Sequence, residues 1–288
     1  MRLYLIIFLF PIFLNASEVS LHILGSGGPE LQNSASTSYL LSVDGKAKVL
    51  IDTGSGSIEN FSTIGAKIED LEAILITHTH IDHINDLSAY VKAGYFTCRS
   101  KKLPIVGPFG SSLIPSIKEY LYRLFGKNGA YSYMQDVLSK SGDSFMLKPI
   151  VMPKSIHKIE IAPNILITSI DVNHGIIPAL SYRVEIDGKI FAFSGDTTAK
   201  SNNLLKVAKD ADIFVAHYAI PEFGYDIAAK LHMRPSRIAQ IAKDANVKHL
   251  VLSHLMKRSI KAKEESIKII KKIYSGKVSV ASDLLTFH

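Results

Sequence analysis

Short apolar runs recur along this chain, and nearly every one ends in a residue able to carry chemistry. Runs at 19–24, 39–43, 49–52, 74–77, 165–170, 182–186, 190–194, 213–216, 249–253 and 277–281 read as strands. Helical stretches are expected at 202–210, 235–246 and 261–274. Pro235 opens the second of these, where a missing N–H costs nothing, and Gly276 follows the third, a common stop. Asp187-Gly188 between two apolar runs signals a tight hairpin. Strands interleaved with helices imply an α/β fold. The strands run out into Asp52, Thr77 before His78, Asn173 before His174, Gly195 before Asp196, then His217 and His254. Ligands gather at the carboxyl ends of strands in such sheets.

Composition narrows the chemistry. The 288 residues are 47% hydrophobic and 20% charged, which excludes a disordered or fibrous chain and suffices for a large core. Cys98 stands alone, so no intramolecular disulfide and no cysteine zinc site can form. Any metal must be held by carboxylates and by some of the 11 His. Arg2, the apolar residues 3–14 and Asn15-Ala16-Ser17 have the layout of a secretory signal peptide. The apolar run is shorter than the roughly 17–25 residues a membrane span needs. The expectation is a signal peptide over 1–17 and one hydrolase domain over 18–288, since no repeat or linker divides the remainder. The product would be periplasmic or secreted, with no stable membrane anchor after cleavage.

The sharpest signal is His78-Thr79-His80-Ile81-Asp82-His83, directly after the run 73–76. Four strong ligand types in six positions cannot all converge on one small ion, but two adjacent ions can use them all. A structural role would bury several polar rings without partners, at considerable cost. His174, Asp196 and His254 each stand singly at a strand end, Asp196 preceded by a glycine that permits close backbone approach.

These motifs make the chain resemble the metallo-β-lactamase-fold hydrolases, zinc enzymes built as a four-layer αβ/βα sandwich. The resemblance runs from Leu24-Gly25-Ser26-Gly27-Gly28-Pro29 through Leu50-Ile51-Asp52-Thr53-Gly54 and the His loop. It continues through Asn173-His174 and Ser194-Gly195-Asp196-Thr197 to Leu252-Ser253-His254. Gly107-Pro108-Phe109-Gly110 and His232 are similar to features of the branch holding tRNA 3′-processing ribonucleases, zinc arylsulfatases and phosphodiesterases. The resemblance implies one zinc on His78, His80 and His174, a second on Asp82, His83 and His254, and Asp196 bridging both. Mn or Fe can occupy comparable sites. Two such ions about 3.5–4 Å apart share a hydroxide and clamp both oxygens of a displacement. Asp82 and His232 are the catalytic candidates, His232 as proton donor to the leaving oxygen or as a holder of the anionic group. Asp52 is expected to orient the His loop. The ribonuclease branch pairs its His with a Glu, and here Tyr218 stands in the Glu position of Ala216-His217-Tyr218-Ala219. Tyr218 is a poor substitute for a carboxylate, although it could hydrogen-bond the ring. His217 is left between supporting the ligands and plain packing. His22, His157, His249 and His288 match no motif.

On substrate, the reading favours an exported hydrolase of small anionic esters, phosphodiester or sulfate ester, with no nucleic-acid partner. Only a short hairpin joins Tyr182-Arg183-Val184-Glu185 to Gly195-Asp196-Thr197, where the ribonuclease branch inserts a tRNA-grasping arm. An exported protein also would not meet precursor tRNA. The alternatives are a tRNA 3′-processing endoribonuclease and a metal-site binding or sensing protein with little turnover. Ser253, His232 and Arg258 could serve either ester. The segment 94–149 is longer than a bare scaffold requires and could be a lid, although the spacing of Tyr120, Leu121 and Leu124 fits a core helix. Dimers are common in the branch resembled, and the residues leave oligomeric state open. The net charge of +7, or +6 without Arg2, gathers around the C-terminal helix and reads as mild steering of anions.

Overall fold

The computed structural model describes residues 17–30, 33–139 and 145–288. The expected signal peptide lies outside the described residues, except for Ser17. In chain order the elements begin with β1 (Val19–Gly25), β2 (Ser38–Val43), β3 (Lys46–Ile51), α1 (Ser57–Thr63) and β4 (Ala73–Leu75). Next come α2 (Ile81–Ile84), α3 (Leu87–Gly94), β5 (Leu103–Pro108), α4 (Ile117–Phe125) and β6 (Leu147–Met152). The second half holds β7 (His157–Ala162), β8 (Ile165–Val172), β9 (Ala179–Ile186), β10 (Lys189–Phe193), α5 (Asn203–Ala208) and β11 (Ile213–His217). It closes with α6 (Pro235–Asp244), β12 (His249–Ser253), α7 (Lys257–Lys261), α8 (Lys263–Ile273), β13 (Lys277–Val280) and β14 (Thr286–Phe287).

The strands form two seven-stranded sheets, ordered β14-β1-β2-β3-β4-β5-β6 and β13-β12-β11-β10-β9-β8-β7. Each sheet joins an antiparallel meander to a parallel run: β1-β2-β3 into β4-β5-β6, and β7-β8-β9-β10 into β11-β12-β13. Strand side chains alternate between faces with period two, and the burial follows that rule. Leu21, Tyr39, Leu41, Val49, Ile51 and Leu75 enter a core shared with Val184, Phe193, Val215 and Val251 of the other sheet. Their neighbours Leu40, Leu50 and Ile74 face outward onto α3 and α4 through Tyr90, Leu121 and Phe125. On the far side Phe214, Ala216, Leu250 and Leu252 pack under α5, α6 and α8. Three apolar layers therefore separate four layers of structure, helix–sheet–sheet–helix, as the αβ/βα sandwich requires.

The described parts of the segment 94–149 belong to this scaffold rather than covering it. β5 and β6 extend the first sheet, and Leu121 of α4 is fully buried beneath them. The apolar pattern understated these strands because β5 and β6 carry Pro104, Pro108 and Pro149, residues that argue against a strand except at edges and ends. Ser116 and Glu119 form the capping box that starts α4. The Asp187-Gly188 hairpin forms as expected, with φ of 43° and 79°. α8 stops differently: Tyr274 turns extended (φ −115°, ψ 122°), and Gly276 supplies no left-handed cap.

Candidate metal centre

The carboxyl ends of β3, β4, β8, β10, β11 and β12 meet at one end of the sandwich. The backbone leaves three of these strands sharply, since Asp52, Gly195 and His254 all have left-handed φ, of 55°, 56° and 57°. Gly195 is required twice over: a Cβ there would also sit 2.8 Å from the Leu180 carbonyl. For His254, which has a Cβ, that conformation is costly, and such strain persists where surrounding structure enforces it. Gly28 leaves room for the His254 ring, because a Cβ at 28 would lie 2.8 Å from its Cε1.

Two groups of ligand atoms result, sharing Asp196. His78, His80, His174 and Asp196 bring one atom each within 4.8 Å of one another, and so do His83, Asp196, His217 and His254. In the first group His80 Nδ1 lies 3.0 Å from His78 Nε2 and 3.2 Å from His174 Nε2. Asp196 Oδ2 lies 4.0 Å from His78 Nε2 and 3.7 Å from His174 Nε2. In the second, Asp82 Oδ2 lies 3.5 Å from His83 Nε2 and 3.2 Å from His254 Nε2. Asp196 approaches the same rings at 3.7 and 3.4 Å. Asp82 therefore stands with His83 and His254, although the tighter grouping contains His217.

The hydrogen bonds of His217 separate it from the others. Its Nδ1–H donates to Asp196 Oδ1 at 2.8 Å, and its Nε2 accepts from the Tyr39 hydroxyl at 3.1 Å. With both nitrogens engaged, it holds the shared carboxylate in place. Asp52 acts similarly beneath the His loop: it accepts from His83 Nδ1 at 2.8 Å, from the Thr77 N–H at 2.7 Å and from the Thr77 hydroxyl at 2.8 Å. His174 Nδ1 is fixed by the Leu231 carbonyl at 3.1 Å. Tyr39 and Leu231 are not marked by the sequence, and Thr77 is marked only as a strand end. A tyrosine inside an apolar strand gives no local sign that its hydroxyl reaches a histidine far along the chain.

Tyr218 requires a correction. Along β11 the side chains at 213, 215 and 217 face inward, which sends Tyr218 to the outer helix layer. There it is fully buried, and its hydroxyl bonds the Ser259 carbonyl at 2.8 Å and Ser266 Oγ at 2.6 Å. Tyr218 touches neither His232 nor the centre. His232 instead sits with Nδ1 3.7 Å from Asp196 Oδ2.

The residues fit bound cations on their own chemistry. Nε2 of His83 and both ring nitrogens of His254 are buried without a hydrogen-bond partner, and buried polar atoms left so are costly. Burial opposes charge on His83, but Asp82, Asp52 and Asp196 outweigh it and raise its pKa. His254 is raised likewise against burial by Asp196 and Asp82. Asp196 is held well below the usual carboxylate range, burial being overcome by His254, His232 and His83. The carboxylates thus demand positive charge in the second group, which divalent ions would supply. Burial lowers His78, His80 and His174 toward the neutral form a ligand needs, and brings His217 and His232 to about 4.

A cavity of about 210 Å³ opens onto the cluster, walled by His80, Asp82, His232 and His254, with Pro29, Met256 and Arg258 at its sides. A larger open depression of about 820 Å³ lies at the other end of β10, around Glu160, Glu185 and Asp187. It holds no histidine, so volume alone would misplace the chemistry. His22, His249 and His288 bond Ser and Thr hydroxyls away from the centre.

Known proteins agree with this architecture. Ribonuclease Z of Mycobacterium bovis (strain BCG / Pasteur 1173P2) is 25% identical over 279 residues, covering 91% of this chain and 95% of its own length. The metallo-β-lactamase fold protein YhfI from Bacillus subtilis superposes with a TM-score of 0.72 at 20% identity, over 93% of this chain and 98% of that one. The short form of human tRNase Z gives 0.71 at 18%, with the same coverage. The resemblance read from the motifs therefore holds: the chain is a metallo-β-lactamase-fold hydrolase with ribonuclease Z relatives. One expectation falls. A small ester substrate with no nucleic-acid partner conflicts with relatives that are ribonucleases and that match along nearly the whole chain. The short β9–β10 connection excludes only one way of gripping RNA. The family described as anti-Pycsar protein Apyc1 matches residues 19–221, so the chain belongs to that family.

Proposed function

We propose that the protein is a binuclear metal-dependent hydrolase of phosphodiester bonds, with RNA in its substrate class. The observation that carries this reading is the pair of ligand groups sharing one buried carboxylate, Asp196. His78, His80 and His174 would hold one ion, Asp82, His83 and His254 the other, and Asp196 both. Zinc suits this nitrogen and oxygen set, as do Mn and Fe. When bound, two such ions supply an activated water and positive charge for the phosphoryl oxygens.

The chain's own residues do the remaining work. Asp52 and Thr77 fix the ring of His83, and the Tyr39–His217 pair fixes Asp196, so the ligand atoms are held before substrate arrives. His232, on the cavity wall beside Asp196, is neutral at working pH and holds the leaving oxygen through its ring N–H. Arg258, which lines the same cavity, opposes the anionic oxygens. The ribonuclease Z relatives support the phosphodiester bond as the target.

Zinc-loaded protein is expected to hydrolyse bis(p-nitrophenyl) phosphate and to cut a 3′-extended tRNA, with both activities lost in Asp82→Ala. Turnover of p-nitrophenyl sulfate or a lactone without either phosphodiester would overturn the reading. So would a metal-loaded protein inert to all of them, which would leave a binding role.

A further inference from the structure

The loop between β11 and α6 presents apolar side chains to solvent on a braced backbone. Phe223 is 72% exposed, Tyr225 53% and Ile227 82%. The loop itself is tied down. Arg234 donates to the carbonyls of Glu222 at 2.6 Å and Gly224 at 3.0 Å, and to Asp226 at 2.9 Å. The Glu222 carboxylate accepts from the backbone and hydroxyl of Ser236 at the start of α6. Beneath it Ala219, Ile220 and Met256 form a small core of their own. Large apolar groups held rigidly in water are expensive unless something covers them.

Their neighbour is cationic. Arg258 Nε donates to the Ala219 carbonyl at 2.9 Å, and its guanidinium lies 5.6 Å from the centre of the Tyr225 ring. Arg258 also walls the metal cavity. From it the chain runs into α7 and α8, where Lys257, Lys261, Lys263, Lys268 and Lys272 are exposed. Only Glu264 and Glu265 offset these and their neighbours between 257 and 277, so that stretch carries +6 of the chain's net +7. Among the described residues none of these five lysines makes an ion pair.

We propose that this loop and the α7–α8 face form a binding surface for single-stranded nucleic acid leading into the metal cavity. The inference rests on the phosphodiester reading and names the strand-binding part of that site. Unpaired bases stack on Phe223 and Tyr225, and the backbone follows the lysines, with Arg258 where the strand enters the cavity. A cationic track beside aromatic platforms is how single strands are held without sequence preference. Charge complementarity selects this occupant, because a second copy of the chain would bring the same lysines against each other.

The test is fluorescence anisotropy of zinc-loaded protein with a labelled, cleavage-resistant phosphorothioate RNA 12-mer, from 50 to 200 mM salt, alongside turnover of bis(p-nitrophenyl) phosphate. Phe223→Ala/Tyr225→Ala is expected to weaken binding roughly tenfold or more. Lys261→Ala/Lys263→Ala/Lys268→Ala should flatten the salt slope by about 2, near 0.7 for each phosphate no longer neutralised. The small ester, which spans neither element, reports whether each variant is folded and loaded. RNA affinity and slope unchanged in folded variants would overturn the proposal, as would conversion of a dimer to a monomer with RNA binding intact. RNA binding that responds to both variants while no ester is hydrolysed would keep the surface and remove the phosphodiester reading.

Discussion

Histidines at the two ends of the sandwich are both buried and do opposite things. His249, at the start of β12, is 8% exposed, donates or accepts at Ser279 Oγ at 2.9 Å and stacks edge-on against Phe287. His254, just past the end of the same strand, is 1% exposed, and neither of its ring nitrogens has a hydrogen-bond partner. The first ring is satisfied by a hydroxyl. The second turns Nε2 toward Asp82 and Asp196, 3.2 and 3.4 Å away, without completing a hydrogen bond. Burial therefore does not distinguish a structural histidine from a proposed ligand; the unmet hydrogen-bonding capacity does.

Removing the carboxylate shared by both ligand groups should separate these ends most strongly. Asp196→Ala is expected to abolish hydrolysis, by more than about 100-fold, which exceeds the 10–100-fold typical of losing an outer partner. Metal content by mass spectrometry should fall with it, whereas His249→Gln should keep both metal and activity. Chelation addresses the same contrast through stability. Each ion bound at 100 times its Kd contributes about 2.7 kcal/mol, so emptying even one of the two sites should lower Tm by roughly 5–10 °C. A Tm indifferent to chelator would sink the metal assignment for His83 and His254.

Asp52→Ala tests the support beneath the ligands. It frees the ring of His83, and metal affinity measured by competition with a chromogenic chelator should drop about 10–100-fold. At the structural end, burial, with Lys277 adding to it, lowers the pKa of His249 from 6.5 to about 4. The unfolded chain then binds more protons than the native one between these values, so stability falls as pH drops from about 6.5 to 4. His249→Gln should flatten that part of the denaturation profile relative to the parent. An identical slope would mean the ring stays accessible to protons in the folded state. The smallest effect belongs to Tyr218→Phe, which loses bonds to Ser259 and Ser266, about 1 kcal/mol, with activity within about twofold of the parent. A large activity loss there would restore Tyr218 to the centre.

The proposed ligand set was legible in unequal parts. The His78–His83 loop is contiguous, so spacing alone revealed it. His174, Asp196 and His254 stand singly, and only their position at strand ends marked them. Strand alternation, carried past the apolar core of β11, assigns His217 inward and Tyr218 outward. No sequence signal pointed to Tyr39. The strands β5 and β6 were hidden by their prolines, and β7 by the charged and polar residues of an edge.

The sequence by itself determined the α/β class, the turn at Asp187-Gly188 and the ligand types, because period-two burial and dense imidazole clusters are local properties. Tertiary structure decided which of the eleven histidines meet one carboxylate, and that Tyr218 turns away from it. It also decided that Arg258, which lines the metal cavity, lies against the Tyr225 ring. Those relations join residues tens to hundreds of positions apart. They exist only once two sheets have stacked and aligned their strand ends.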